Sequence, residues 1–219
     1  NITISGELDA ATGDFSGNVD IDGTLETDAI TIDGTSIIKL PGTDFTQSLL
    51  IGHATTGTLD AANYNLGIGT GSGYAPLENI TSGDSNVAIG QGAGNDITTG
   101  GSNTFIGRAT GDVCTTSSNN TAVGLSALGG ITNSSDGRNT AIGANSMIAS
   151  NGGWNTCLGL DSGRGLTSGN YNICIGFDGG DNIQDGDGNI IIGTGDAAAT
   201  DSARTFKVIS YDGSSTTNH

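Results

Sequence analysis

Three side chains in this sequence have the types and spacing of a ligand-gripping surface. Arg138, Trp154 and Tyr171 each stand immediately before a recurring Asn, in three successive copies of a short phrase. If those copies stack in register, a guanidinium and two aromatic rings form one column on neighbouring layers. A guanidinium over an aromatic face is electrostatically favourable. Such a column could hold the flat face of a sugar. It could also stabilise the edge of the stack or a contact between chains. In full it reads Tyr64, Ser85, Ser102, Asn119, Arg138, Trp154, Tyr171 and Gly188.

The other reactive residue types assemble into less. His53 and His219 are the two histidines, and neither sits in a motif with Ser or Cys that would make a nucleophile and its base. No zinc spacing exists. A glycan-cleaving site needs two carboxylates across a groove, and the 23 acids offer no way to single out a pair. Asp181-Asn-Ile-Gln-Asp-Gly-Asp-Gly188 spaces oxygen ligands as calcium loops do, but it lacks the closing Glu and reads as a solvated turn. Gly67-Ile-Gly69 and Gly90-Gln-Gly92 are repeat turns, not phosphate loops. Cys157 and Cys174 hold equivalent places in adjacent copies, within reach of a disulfide. With Cys114 the count is odd, and small buried residues are the plainer reading. No catalytic residue, metal or cofactor is assigned.

The positioning element is the phrase itself: Asn, two variable residues, a branched apolar residue, Gly. It occurs as Asn86-Val-Ala-Ile-Gly90, Asn103-Thr-Phe-Ile-Gly107, Asn120-Thr-Ala-Val-Gly124, Asn139-Thr-Ala-Ile-Gly143, Asn155-Thr-Cys-Leu-Gly159, Asn172-Ile-Cys-Ile-Gly176 and Asn189-Ile-Ile-Ile-Gly193. Ser48-Leu-Leu-Ile-Gly52 and Asn65-Leu-Gly-Ile-Gly69 precede them, and the first positions lie 17, 21, 17, 17, 19, 16, 17 and 17 residues apart. A short fixed period means stacked structural units.

Each phrase is too short for a helix and reads as a strand between turns. A second apolar position recurs about 11 residues after the Asn, at Leu59, Ile97, Ile131, Leu166 and Ile183, with Ile80, Val113 and Ile148 close to it. Two short strands and two turns per repeat are therefore expected. Coils about 4.8 Å apart then give a β-solenoid section of roughly 40 Å. Asn tolerates the left-handed region and bonds its neighbours, so stacked Asn residues predict an amide ladder. Gly at the fifth position suits a close backbone approach.

Composition agrees with stacked coils rather than a globular core. Of 219 residues 39 are Gly, and 34% are hydrophobic. A single chain is expected to be marginal, with several chains sharing apolar faces. The net charge of −17 disfavours nucleic acid and anionic membrane surfaces as partners. No run of about 18 apolar residues is present to insert as a membrane helix.

The chain divides into three segments. Residues 1–46 carry Val19-Asp-Ile-Asp-Gly-Thr-Leu25 and Ile30-Thr-Ile-Asp-Gly-Thr35, alternating strands that predict a shaft of intertwined chains. Residues 47–193 are the coils. Within them the interval from Asn65 to Asn86 is the longest, and Gly71-Ser-Gly-Tyr-Ala-Pro76 is expected to project as a loop. Residues 194–219 leave the repeat, with a strand at Thr205-Phe-Lys-Val-Ile209 and a turn at Tyr211-Asp-Gly-Ser-Ser. No cap is evident at His219, and further sequence is expected beyond it.

The Asn-Thr-Ala-Ile-Gly ladder resembles the head repeats of trimeric autotransporter adhesins, which are left-handed parallel β-rolls. The Gly-Thr-Leu and Asp-Gly-Thr strands look like bacteriophage tail-fibre shafts. The resemblance implies an all-β, left-handed parallel β-roll, trimeric, with an intertwined N-terminal shaft. It also implies a C-terminal chaperone segment cut away after assembly. The expected function is a non-enzymatic virion fibre on the extracellular side. Its partners would be two further copies, other virion tail proteins and a host surface glycan or protein. The head of a bacterial adhesin is the alternative. An ice-binding solenoid would need more than the single Thr per coil at Thr104, Thr121, Thr140 and Thr156.

Overall fold

The computed structural model describes residues 30–32, 35–39, 48–51, 61–70, 73–130, 137–195, 200–211 and 216–218. Among these the chain forms thirteen strands and no helix. They are β1 (Ile30–Ile32), β2 (Thr35–Lys39), β3 (Leu49–Ile51), β4 (Leu66–Ile68), β5 (Val87–Ile89), β6 (Thr104–Ile106) and β7 (Thr121–Val123). There follow β8 (Thr140–Ile142), β9 (Thr156–Leu158), β10 (Ile173–Ile175), β11 (Ile190–Ile192), β12 (Phe206–Tyr211) and β13 (Thr216–Asn218). The strands lie side by side in sequence order, and β3 to β12 are parallel. This is an all-β solenoid of about eight turns. His53, His219, Leu59, Ile131 and most of residues 1–46 lie outside the described residues.

The Asn column holds the coils together. Asn103 Oδ1 accepts from the backbone N–H of Asn120 at 2.9 Å and from its Nδ2 at 3.0 Å. Asn103 Nδ2 in turn donates to Asn86 Oδ1 at 3.0 Å and to the Ser117 carbonyl at 2.9 Å. The same pattern continues through Asn155, Asn172 and Asn189. These side chains are buried, so every donor and acceptor must find a partner. The next coil supplies it only when it is in register.

Gly at the fifth position is required by contact as well as by conformation. Gly90 has φ +121°, and a Cβ there would lie 2.7 Å from the Gly107 carbonyl oxygen of the next coil. No side chain fits such an approach.

Each coil carries one strand, not two. The second apolar position sits at the end of a run of turns instead, because the backbone there bonds to neighbouring coils one residue at a time, as in Asp96 N–H to Asp112 O at 2.9 Å and Thr98 N–H to Thr115 O at 2.9 Å. Its side chains still point inward: Ile80, Ile97, Leu166 and Ile183 are fully buried. One position shifts by one residue, since Cys114 rather than Val113 is buried, and in the coil after Asn139 the position is held by buried Ser150 rather than by Ile148.

The core is internal to one chain and three side chains thick. It is formed by the strand centre, the residue six further on and the residue nine further on. In several coils a large side chain in one wall faces a small one in the other, and where both are small, as at Ala88 and Gly94, Leu77, Ile97 and Phe105 fill the space. Phe105 at a strand centre faces Gly111, where a Cβ would come 2.6 Å from the Phe105 ring. Ala122 and Ala141 at strand centres are matched by Leu128 and Met147. Cys157 and Cys174, paired in register on β9 and β10, are free thiols whose sulfurs fill the space over Gly163 and Gly180. Burial pushes the Cys114 thiol up to about 12 and the Cys157 thiol well up too. Close packing of this kind tolerates little change in volume.

Antiparallel strands close the parallel stack at both ends. β1 and β2 form a hairpin whose second strand pairs with β3. At the other end β12 extends the parallel sheet by one more coil, with Thr205 N–H donating to Asn189 Oδ1 at 2.9 Å. β13 then folds back on β12, so the C-terminal segment carries the cap that its sequence does not advertise.

Two substitutions test this account. Asn103→Ala removes the acceptor of the Asn120 backbone N–H and the bonds that Asn103 Nδ2 gives to Asn86 Oδ1 and the Ser117 carbonyl, while Asn86 Oδ1 keeps the Asn103 N–H; the expected loss is roughly 3 kcal/mol, read as a fall in Tm. Ser150 stands where other coils place Ile or Leu, and its Oγ is buried without a hydrogen-bond partner. Ser150→Val should raise stability by about 1 kcal/mol, and an unchanged or lower Tm would contradict the core assignment.

Candidate functional site

The column preceding the Asn ladder lies at a sharp corner. Seven of its residues with side chains take the left-handed conformation, among them Arg138 (φ 64°), Trp154 (φ 57°) and Tyr171 (φ 60°). That conformation costs a non-glycine residue roughly 1–2 kcal/mol. It is held by backbone bonds to the preceding coil: Arg138 N–H to Ser118 O at 3.1 Å, Trp154 N–H to Gly137 O at 3.2 Å and Tyr171 N–H to Gly153 O at 3.2 Å. A left-handed residue here turns the chain so that its side chain points outward while the next residue, Asn, points inward.

The three residues singled out from the sequence do meet. The Trp154 and Tyr171 rings are stacked with centroids 5.3 Å apart and planes 18° apart. The Arg138 guanidinium carbon lies 5.1 Å from the centroid of the Trp154 ring. An offset aromatic pair contributes about 0.5–1.5 kcal/mol beyond burial, and an exposed cation–π contact about 0.5–1 kcal/mol. Trp154 is covered on both faces and is 39% exposed, whereas Tyr171 is covered on one face and is 60% exposed. The column therefore has a closed end at Arg138 and an open end at Tyr171.

The Asp-rich stretch 181–188 is engaged otherwise. Asp185 Oδ1 accepts from Thr167 Oγ1 at 2.6 Å and Ser168 Oγ at 2.7 Å, and these hydroxyls hold its carboxyl below its ordinary value. Asp187 Oδ1 accepts from the Asn170 N–H at 2.7 Å. Each carboxylate pins the preceding coil. Among the described residues no group of three or more His, Cys, Asp or Glu is placed to hold a metal ion. Thr104, Thr121, Thr140 and Thr156 pair in register on one outward column of the sheet.

One cluster escaped the sequence reading. The described part of the insertion after β4, from Gly73 on, does not project. Tyr74 folds back over Gly92, where any Cβ would overlap its ring, and Ala75, Pro76 and Leu77 are buried. Glu78 stabilises this fold-back by accepting from the Gly73 and Ala75 N–H groups at 3.1 and 2.8 Å. Tyr74 Oη donates to Asp112 Oδ2 at 2.7 Å. The pair borders a surface pocket of about 360 Å³, lined also by Ala109, Ser126, Gly129, Gly130 and Ile148. Burial raises the pKa of Asp112, the hydrogen bond from Tyr74 opposes that shift, and the charge of Asp96 adds to it. Tyr74 is separated from Asp112 by 38 residues and lies in the one long insertion, so no periodic signal connects them.

No protein-family model matches this chain, and no curated protein or solved structure matches it either.

Burial and the Asp112 carboxylate push the Tyr74 phenol up to about 12. An unfolded tyrosine ionises near 10, so the stability that this shift contributes is complete below about pH 10 and is lost as pH rises through about 12. The ultraviolet difference between wild type and Tyr74→Phe should therefore show one tyrosinate appearing near pH 12. Its appearance near pH 10 would show that Tyr74 is not held against Asp112.

Proposed function

We propose that this chain is the rigid section of a bacteriophage tail fibre, a homotrimeric rod that attaches a virion to a host surface glycan or protein. The observation that carries this reading is the outward face of the sheet. The third residue of each strand from β3 to β11 points away from the core, and it is aliphatic throughout: Ile51, Ile68, Ile89, Ile106, Val123, Ile142, Leu158, Ile175 and Ile192. Ile106, Ile142, Leu158 and Ile192 are openly exposed. Leu125, Leu160 and Phe177 extend the exposed apolar surface beside this column. Continuous apolar surface of this kind marks an interface. Three copies would bring three such columns together and leave the thin internal cores untouched.

The mechanism is passive and non-enzymatic. Backbone ladders make the rod stiff, and its ends join other virion tail proteins. Exposed side chains such as the Arg138 column meet the host surface outside the cell. Three chains carry 3 × (−17) = −51 charges, which opposes nonspecific adhesion and binding to nucleic acid. Weak contacts gain from threefold presentation. A bacterial trimeric adhesin head is the second reading, favoured by the Asn-Thr-Ala-Ile-Gly phrases. Antibody labelling of purified virions against bacterial surfaces separates the two.

Light scattering tests the assembly. A trimer of a 21.6 kDa chain has a mass of about 65 kDa, three times that figure. Ile106→Asp with Ile142→Asp should yield a folded monomer, since both side chains point outward. A wild-type monomer would overturn the fibre reading.

A further inference from the structure

The ladder stops one plate short. After Arg138, Trp154 and Tyr171 the next residue in the column is Gly188, and the one after that is Arg204, exposed and left-handed like the others at φ 56°. The register continues across the gap: Gly188 N–H donates to Asn170 O and Arg204 N–H to Asp187 O, both at 2.8 Å. An arginine thus occupies the column at each end. At one end Arg138 lies directly on an aromatic face. At the other, a position without a side chain separates Arg204 from Tyr171.

The spacing is that of a bound ring. Two coil steps of about 4.8 Å set the Tyr171 and Arg204 backbones about 9.6 Å apart. A guest ring in contact on both sides needs two carbon–carbon separations of about 3.5–4.0 Å, or about 7–8 Å in all. A flat ring and a puckered, saturated ring both fit that span, and the polar rim selects the one that carries hydroxyls. The floor is bare, since a Cβ on Gly188 would meet only Arg204 Cγ, at 3.7 Å. The free face of Tyr171 forms one wall. The rim is polar: Arg204 supplies donors, and Asp187 uses Oδ1 to hold Asn170, leaving Oδ2 for a hydroxyl. A mixed donor and acceptor rim on a chain of net charge −17 selects an uncharged polyol ring over an anionic one.

We infer that the slot over Gly188, between the open face of Tyr171 and Arg204, binds the pyranose ring of a neutral hexose. This deepens the receptor-binding reading above, on which its biological role rests, while the slot itself stands on geometry. Arg138 and Trp154 act behind it as positioning residues that fix the plane of Tyr171.

The test uses Gly188→Tyr. The seven preceding members of the column carry side chains in the same backbone conformation, so a tyrosine here extends the ladder and fills the slot without disturbing the coil. Saturation-transfer NMR of the whole chain is run against glucose, galactose, mannose, N-acetylglucosamine and glucuronate. At least one neutral hexose is expected to receive saturation at its ring C–H protons. Gly188→Tyr and Tyr171→Ala should each weaken that binding by roughly tenfold or more, with Tm held in the tyrosine variant. Binding of none of the neutral sugars, binding of glucuronate alone, or unchanged binding by Gly188→Tyr would overturn the proposal. Host-cell attachment separates the two levels. A wild type that attaches to cells but binds no sugar refutes the slot alone. A wild type that binds sugar through the slot but attaches to no cell refutes the receptor reading alone.

Discussion

A buried amide without a partner is among the costlier defects that a protein can carry, and this chain buries an amide in almost every coil that only its neighbours can satisfy. Each Asn can satisfy its carbonyl and its amide only if the coils above and below present theirs at the same height. The ladder from Asn65 to Asn189 is therefore less a source of net stability than a constraint on register. The other columns inherit their alignment from it. The strand centres, the left-handed corners, the glycines and the outward aliphatic residues all stack because the Asn residues must.

That constraint explains how so little apolar material suffices. The core per coil is small, yet the coils share walls, and a large residue in one wall is answered by glycine in the facing one, as Phe105 is by Gly111. The wall residues need not repeat, because side chains of neighbouring coils fill the space that a small pair such as Ala88 and Gly94 leaves. The corners accept Arg, Trp and Tyr in a strained conformation because backbone bonds to the preceding coil fix them there. Strain at those positions is offset locally by bonds that an isolated turn would lack. The antiparallel strands at either end cover what would otherwise be open parallel edges.

The sequence made legible whatever repeats. The period carries the solenoid, the Asn positions carry the amide ladder, and the residue before each Asn places Arg138, Trp154 and Tyr171 in one column. What failed was local. The second apolar position looked like a strand, because inward side chains alone do not distinguish a ladder from a run of turns. The insertion after β4 looked like a projecting loop because its anchors, Gly92 and Asp112, belong to later coils. The pairing of β13 with β12 had no periodic signature either. Contacts made once in a repeat protein are invisible to a method that listens for recurrence.

The axial hydrogen bonds carry one more implication, for heredity rather than for stability. Asn86 bonds Asn103 in the same way that Asn103 bonds Asn120, each pair 17 residues apart. Excising one such unit brings equivalent partners face to face, whereas a few residues more or fewer, as between Asn65 and Asn86 or Asn139 and Asn155, are absorbed within their own coil and leave the rod's length unchanged. Such a gene can lengthen or shorten its product only in whole coils, each step near 4.8 Å. The reach of the rod is thus a digital trait, and unequal recombination between near-identical segments is the mutation that adjusts it.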